Sequence, residues 1–530
     1  MDRDRPAVRR VGAVLPIAFL FLFFVYPVAT ILERGLAGDG GFGLTIEVLT
    51  APRTLRVLWF TVWQAGLSTV LTLLAGLPLA WVLARFCFRG RSLVRALVLV
   101  PFVLPTVVVA AAFLALMPPG DQRGVAVILA AHVFFNLAVV ARVVSSWWVR
   151  FDTGIWDVAA TLGAGPMARL RMVTLPLLAP AVAASGAIVF LFCFTSFGVI
   201  LILGGPSYAT LETEIYSQAA RFFDLRIAAA LSLLQLVATG AVLAVAGALE
   251  RRAGTTVTVA AEREVLRRPR GNQRYWIALV LGSTGIGLGL PVAALLLRSF
   301  ATPNGYGLAF YRQLGEESAA LLVAPWQTVL NSLTFASVAT VIALVVGGLL
   351  AATIVRLRFG WLGALVMLPL GVSAVMLGLG YVIAFDTPPL DLRASPWLVP
   401  IVQSLVAVPF VVRIMVPALR SVDESLREAA TVLGASPAQV WREIDLAFVL
   451  RALGVAAGFA FAISLGEFGA TVFIARSDWP TVPVAIFRFL GRPGALNSGQ
   501  AAALGVVLMV LTTLTVLVAD RASSVRRGAL

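Results

Sequence analysis

The sequence predicts an all-α polytopic membrane protein, with about twelve transmembrane helices in two parallel six-helix repeats. Three observations predict this class: the composition, a series of apolar segments and an internal repeat. Of the 530 residues, 60% are hydrophobic and 13% are charged, and the mean hydropathy is +0.95. Soluble domains are usually about 45–50% apolar and about 25% charged. The composition therefore excludes an ordinary water-soluble enzyme and a disordered protein.

Twelve apolar segments are each long enough, at roughly 20 residues, to cross a bilayer as a helix. They cover residues 11–32, 57–84, 96–117, 124–141, 179–203, 227–249, 275–297, 327–355, 361–385, 396–417, 448–474 and 499–519. The first segment follows a basic start, but it is longer than the core of a signal peptide, which has about 7–15 residues. We expect it to be a retained membrane anchor.

The basic residues orient these segments. All 41 are arginine. With the N-terminus in the cytoplasm, 29 arginines fall in inner segments and 12 in outer ones, whereas acidic residues divide almost evenly. The positive-inside rule therefore predicts that both termini are cytoplasmic. The net charge of +15 is spread over loops that flank the membrane, which favours contact with anionic lipid and not with nucleic acid.

Residue types missing from the chain exclude several chemistries. A chain without lysine has no P-loop lysine for a nucleotide and no lysine for a Schiff base. One histidine and two cysteines are too few to supply the ligands of most zinc or iron–sulfur sites. We therefore expect no catalytic residue and no metal site, with any ATP hydrolysis on a separate chain. Cys87 and Cys193, in apolar surroundings, are expected to be structural thiols.

An internal repeat divides the chain. The segment DVAATLGAGP at 157–166 recurs as EAATVLGASP at 428–437, 271 residues later and without a gap. The same offset places Phe197-Gly198 on Phe468-Gly469. Both copies begin inside, so the repeats are parallel. The predicted units are residues 1–249 and 275–530, joined by a basic cytoplasmic linker at 250–274. Each repeated loop is expected to hold a short helix with its carboxylate at the helix start.

The repeated loops resemble the signature of the permease subunits of binding-protein-dependent ABC importers. The first copy matches that signature through Asp157 (in place of Glu), Ala159, Gly163, Leu175 and Pro176. The second copy matches through Glu428, Ala429, Ala430, Gly434, Ile444 and Leu446, with Ala447 where proline is usual.

A wider resemblance covers nearly the whole chain. AHVFFNL at 131–137, FCFTSFG at 192–198 and LGEFG at 465–469 resemble the fused permeases of thiamine importers. Fused iron(III) permeases are the next most similar group, because they share the loops and an acidic residue near Glu467.

The resemblance implies a type I ABC importer permease fold in the plasma or inner membrane. It implies that each loop is a coupling helix docked into one of two copies of a cytoplasmic ABC ATPase, which hold the ATP and magnesium. No cofactor is then expected on this chain. An extracytoplasmic binding protein would deliver a small solute, thiamine in the first reading, for import by alternating access. The alternatives are an iron(III) or other ion importer, an ion-coupled secondary transporter, and a scaffold.

Four residues are candidates for the translocation pathway. Glu467 is a carboxylate inside an apolar segment, where a charge is costly unless it faces a cavity or a partner. Ser196 is its repeat equivalent, and Phe197 and Phe468 follow the two positions. Glu467 with the two rings suits a cationic aromatic solute; alternatively, it makes a structural contact, for example with Arg413.

Two further features have two readings each. His132, the single histidine, is expected to be a satisfied packing residue rather than a proton relay. The outer loop at 205–226, with Glu212, Glu214 and Asp224, either docks the binding protein or is a plain solvated loop.

Overall fold

The computed structural model describes residues 14–37, 41–118, 120–149, 154–205, 207–252, 266–303, 305–357, 360–386, 390–421 and 424–524. In the first part of the chain the α-helices are Tyr26–Ala37, Gly41–Thr50, Pro52–Arg85, Arg91–Val103, Thr106–Leu116, Val125–Trp148, Gly154–Thr161, Pro166–Arg169, Leu175–Phe194, Gly198–Leu203, Leu211–Ala220 and Leu225–Arg252. In the second part they are Gln273–Phe300, Ala309–Arg312, Pro325–Leu357, Gly360–Gly371, Ala374–Ala384, Leu398–Arg420, Glu424–Val432, Pro437–Val440, Leu446–Gly466, Thr471–Ile474, Val482–Leu490 and Ala495–Ser524.

Non-α elements are short. Single π-helical turns occupy Phe21–Val25, Leu170–Thr174 and Trp441–Asp445, and a 3-10 turn occupies Gln313–Gly315. The strands Ala301–Thr302 and Gly305–Tyr306 form one antiparallel hairpin. The N-terminal tail, the linker interior at 253–265 and the C-terminal tail at 525–530 lie outside the described residues, together with the arginines that they contain.

Ten helices in the described ranges are long and apolar enough to cross a membrane, and two further pairs of helices would raise the number to twelve. The segments predicted as spans at 96–117 and 361–385 are each a bent pair of helices. The first consists of Arg91–Val103 and Thr106–Leu116, bent by 100°, and the second of Leu362–Pro369 and Ala374–Ala384, bent by 92°. Pro105 explains the first bend, because the residue before a proline disfavours the helical conformation, and Leu104 is extended (φ −62°, ψ 133°).

Two other expected spans end early. The segments predicted at 179–203 and 448–474 contain helices that end at Phe194 and Gly466, each followed by a non-helical break and a short helix. We call residues 195–197 the first break and residues 467–470 the second break. Both breaks place backbone groups and polar side chains inside the helix bundle, where they need hydrogen-bond partners.

The 271-residue offset recurs in the contacts of the two parts of the chain, here called the first half (14–252) and the second half (273–524). The backbone N–H of Leu211 donates to the Thr61 hydroxyl at 3.1 Å, and that of Val482 donates to the Ser332 hydroxyl at 2.8 Å. Helices also approach closely at equivalent glycines. A Cβ on Gly76 would lie 2.7 Å from Val140, and one on Gly347 would lie 2.8 Å from Val411.

Each half sends one short helix into the other. Thr106–Leu116 packs against Gln273–Phe300 and Ala495–Ser524 of the second half. Ala374–Ala384 packs against Tyr26–Ala37 and Leu211–Ala220 of the first half. Because these are the second members of the two bent pairs, the bends that sequence reasoning missed bring these helices into contact with the other half.

The end of the linker is fixed to the first half. Arg267 forms a parallel β-bridge with Phe86: its N–H donates to the Arg85 carbonyl at 2.9 Å, and its carbonyl accepts from the Cys87 N–H at 3.0 Å. The Arg267 guanidinium lies 3.7 Å from the Asp157 carboxylate. The linker therefore reaches the first repeated loop.

Candidate functional site

Each repeated loop contains a short helix, which we call the first loop helix (Gly154–Thr161) and the second loop helix (Glu424–Val432). Asp157 lies in the first turn of its helix, as expected. The same expectation is wrong for Glu428, because the second loop helix begins four residues earlier, at Glu424. The side chains of Asp157 and Glu428 are both exposed.

The two loop helices end in the same way. Gly163 and Gly434 have φ values of +83° and +87°, in the left-handed region. The next residue in each loop donates its N–H at 3.0 Å to the carbonyl of Ala159 or Ala430, five residues earlier. This is the helix-ending motif in which glycine is preferred because a side chain is strained there. The repeated glycines are therefore required by backbone geometry.

After each glycine the chain re-enters the bundle through a π-helical turn. Leu175 and Pro176 begin the helix that follows the first turn, and Leu446 begins the helix that follows the second. Ile444 lies inside the second turn. Trp156 fastens the first loop helix to its turn, because its ring N–H donates to the Thr174 hydroxyl at 2.8 Å.

An aromatic contact joins the two halves. The rings of Phe197 and Phe468 stack with centroids 5.5 Å apart and planes at 24°. Tyr216, Phe473 and Phe487 surround this pair, with successive ring centroids 5.3–6.3 Å apart. We call these five side chains the aromatic junction. Phe197 and Phe468 were predicted from sequence, whereas the other three were missed, although Tyr216 and Phe487 are also 271 residues apart.

Glu467 lies beside the junction but directs its carboxylate into its own break. The two oxygens accept the backbone N–H groups of Ala470 at 2.8 Å and Thr471 at 3.0 Å, and the Thr471 hydroxyl also bonds to the carboxylate. Arg413, the suggested partner, is exposed. The geometry favours the structural alternative, in which Glu467 caps the short helix Thr471–Ile474.

Ser196, the repeat equivalent of Glu467, has a different partner. Its hydroxyl lies 2.9 Å from Nε2 of His132, and Nδ1 of the same ring lies 3.0 Å from the Ser68 hydroxyl. His132 is 2% exposed. The expectation of a satisfied packing histidine is therefore confirmed.

The reading of 205–226 as a plain solvated loop is wrong, whereas docking of the binding protein there stays a prediction. Residues Leu211–Ala220 form a helix in which Glu212 and Glu214 are buried. Glu212 accepts hydrogen bonds from Gln235 at 2.9 Å and from Ser373 at 2.8 Å. Glu214 contacts Arg53 and Gln218. These carboxylates are structural acceptors, so they are not solvated.

The predictions about the two cysteines and about a metal site can be compared with the structure. Cys87 and Cys193 are both free thiols. Cys193 is buried and Cys87 is exposed. Among the residues that the structure describes, no three His, Cys, Asp or Glu side chains form a group that could hold a metal ion.

Comparison with known proteins shows which transport proteins the chain resembles. The family described as binding-protein-dependent transport system inner membrane component matches residues 76–254, which include the first loop helix. The thiamine transport system permease protein ThiP of Brucella abortus (strain 2308) is 29% identical over 99% of this chain and 97% of its own length. These similarities support an inner-membrane permease subunit of an ABC importer, a multi-pass transport component.

Other relatives of the permease cover most of its length. The ThiP protein of Escherichia coli (strain K12) is 26% identical, with 88% of each chain covered. The probable ABC transporter permease protein y4fN of Sinorhizobium fredii is 27% identical, with 94% of each covered. A solved bacterial ABC transporter for alginate import matches 47% of the permease and 97% of its own chain, at 18% identity and a TM-score of 0.41.

The permease exposes a leucine immediately before each loop glycine. Leu162 is 82% exposed and Leu433 is 87% exposed. Contiguous exposed apolar patches mark interaction surfaces, whereas single exposed apolar side chains are common. Sequence reasoning missed both leucines because the family signature leaves their positions unspecified, although the 271-residue repeat contains them.

Proposed function

We propose that the permease passes thiamine, or a closely related aromatic cation, from an extracytoplasmic binding protein into the cytoplasm. The observation that carries this proposal is the similarity to curated thiamine permeases over 99% of the chain. We also propose that the chain is a fusion of two units, at 1–249 and 275–530, joined by the linker at 250–274.

The aromatic junction supports an aromatic cation as the solute. Aromatic faces attract cations through their ring quadrupole, and five rings meet where the halves join. In the present conformation Phe197 and Phe468 contact each other, so the space between them is closed. We propose that this stack is a gate and that a solute passes when the rings separate. Ser196 lies beside the gate in the first half, and Glu467 shapes it in the second half as the cap of the second break.

We assign the power source to two copies of a cytoplasmic ABC ATPase, one on each loop helix. The exposed Leu162 and Leu433 give each ATPase an apolar anchor, and the shared glycine-ended geometry makes the two docking sites alike. ATP and magnesium belong to those subunits, and we assign no cofactor to the permease. Binding of ATP would draw the loop helices together and rock the halves apart at the gate. With the loop helices on the cytoplasmic side, both termini are also cytoplasmic in this proposal.

Uptake by cells tests the choice of solute. The permease, its ATPase and its binding protein are expressed in a strain that lacks its own thiamine and iron(III) importers, and labelled thiamine and iron(III) are offered separately. The proposal predicts saturable thiamine uptake that excess unlabelled thiamine abolishes. Uptake of iron(III) without thiamine uptake would overturn the assignment of the solute but not of the family.

A further inference from the structure

His132 holds a buried polar chain that joins two helices of the first half to the first break. Ser68 lies on Pro52–Arg85, His132 lies on Val125–Trp148, and Ser196 lies in the first break. Ser68 is 0% exposed and Ser196 is 8% exposed. A neutral imidazole has one donor and one acceptor, and serine hydroxyls can act as either, so both ring nitrogens are satisfied. We call this chain of three side chains the serine–histidine brace.

The brace holds the first break on the side away from the second half. Ser196 is followed directly by Phe197, whose ring forms the gate with Phe468. Directly after the break the chain packs tightly, because a Cβ on Gly198 would lie 2.5 Å from the Thr106 hydroxyl and 3.3 Å from the Phe468 ring. The position of Phe197 is therefore set by His132 through Ser196 and by the packing at Gly198.

The second half lacks the residues of the serine–histidine brace. The positions 271 residues after Ser68, His132 and Ser196 hold Ala339, Gln403 and Glu467. Glu467 bonds within its own break instead of reaching a neighbouring helix. The second break is consequently held by local hydrogen bonds, whereas the first break is tied to the helix that carries His132.

That helix leads to the first loop helix. Val125–Trp148 precedes Gly154–Thr161 directly in the element order. A displacement of the loop helix would thus move His132 along with its own helix, and through Ser196 it would move Phe197. The route uses the covalent connection between the two helices and the two hydrogen bonds of His132, and the equivalent positions of the second half hold neither histidine nor serine.

We propose that His132 is a positioning residue that links movement of the first loop helix to the aromatic gate. It acts on the gate through Ser196 and does not contact the solute. This inference rests on the proposed function, because it assumes that the loop helix is moved by an ATPase. It also makes the two halves unequal: the first half drives its side of the gate through the brace.

Crosslinking of the gate tests the brace on the isolated permease, without an ATPase. Phe197→Cys and Phe468→Cys are combined in a background with Cys87→Ser and Cys193→Ala, in lipid nanodiscs, and treated with a short bifunctional thiol reagent. We expect His132→Leu to lower the crosslinking rate at least about fivefold, in line with the usual range of coupling between two sites. His132→Gln keeps a donor and an acceptor and should restore the rate to within about twofold.

Two further variants complete the design. Ser196→Ala cuts the brace at its other end and should lower crosslinking like His132→Leu, so the test stands even if the latter fails to insert. Gln403→Leu is the matched control at the equivalent buried position of the second half and should leave the rate unchanged. Unchanged crosslinking in Ser196→Ala, or failure of His132→Gln to restore it, would overturn the brace.

A second readout separates this inference from the proposed function. In the reconstituted importer with intact phenylalanines, His132→Leu should lower the ratio of solute transported to ATP hydrolysed at least about fivefold. A normal ratio together with normal crosslinking contradicts the brace alone. Absence of ATP-driven transport in the unsubstituted permease would contradict the proposed function instead, with the crosslinking result still valid.

Discussion

The hydroxyl of Ser373 in the second half donates a 2.8 Å hydrogen bond to the Glu212 carboxylate in the first half. The same hydroxyl accepts the Met376 N–H at 3.1 Å and so caps the helix Ala374–Ala384. Gln235 satisfies the other carboxylate oxygen. Glu212 is 0% exposed and its carboxylate depends on such partners, because an unpaired buried carboxylate is costly. One serine therefore starts a helix and fastens the two halves together.

Loss of this hydroxyl should weaken the permease. Ser373→Ala leaves a carboxylate oxygen and a helix N–H without their partner, and an unsatisfied buried polar group costs about 1–3 kcal/mol. We expect a lower melting temperature in detergent, measured by intrinsic fluorescence. Ser337→Ala is the control, since that exposed hydroxyl bonds only to its own helix, and surface changes are usually within about 0.5 kcal/mol. Equal melting of both variants would contradict the role of Ser373.

The loop glycines offer a matched pair of substitutions. Gly163→Ala forces a side chain into the left-handed region, which costs about 1–2 kcal/mol. Gly165→Ala is tolerated, because its φ is −65° and a Cβ there would meet nothing within 4 Å. We expect the first change to weaken ATPase binding by about 5–30-fold and the second to leave it unaltered, as measured by co-purification at graded ATPase concentrations. Identical binding by the two variants would contradict the coupling role of this geometry.

Glu467 should matter more for stability than for solute affinity. Glutamine has one side-chain oxygen in place of two, so Glu467→Gln loses an acceptor for the N–H groups of Ala470 and Thr471. We expect destabilisation of about 1–3 kcal/mol and a KM for thiamine within about twofold of the original. The exposed Glu316→Gln serves as the control for stability. A stable variant with a strongly raised KM would instead make Glu467 a direct solute contact.

Attachment of the linker end to the first half should depend on the backbone hydrogen bonds of Arg267 and not on its charge. The ion pair of Arg267 with Asp157 is mostly exposed, and such pairs contribute up to about 1 kcal/mol. Arg267→Ala should therefore alter the rate of tryptic cleavage in the linker only slightly. Arg267→Pro removes the N–H that donates to Arg85 and should accelerate cleavage several-fold. Both variants remove the same tryptic site, so a difference between them reports the β-bridge.

Much of this fold is readable from local sequence. Apolar length identifies the membrane segments, and the repeat of Gly163 as Gly434 identifies two loops with the same backbone geometry. These features depend on neighbouring residues or on an exact repeat, so they can be predicted from the sequence.

The features that sequence reasoning missed depend on contacts between distant parts of the chain. Glu212 and Glu214 look like loop carboxylates until Ser373 and Arg53 are placed beside them. The aromatic junction is similar, because Tyr216 belongs to it through rings that lie far away in the sequence. The bend at Pro105 was visible as a proline, but its size depends on how Thr106–Leu116 packs into the other half.

Uptake into proteoliposomes tests the central claim, that a separate ATPase drives import through this permease. Vesicles with the permease and enclosed ATP are prepared with and without the ATPase, and thiamine-loaded binding protein is added outside. Our account predicts uptake above the outside concentration only when permease, ATPase, ATP and binding protein are all present, and its loss when Gly163 and Gly434 are both replaced by valine. Uptake without the ATPase, driven by a proton or sodium gradient, would contradict it.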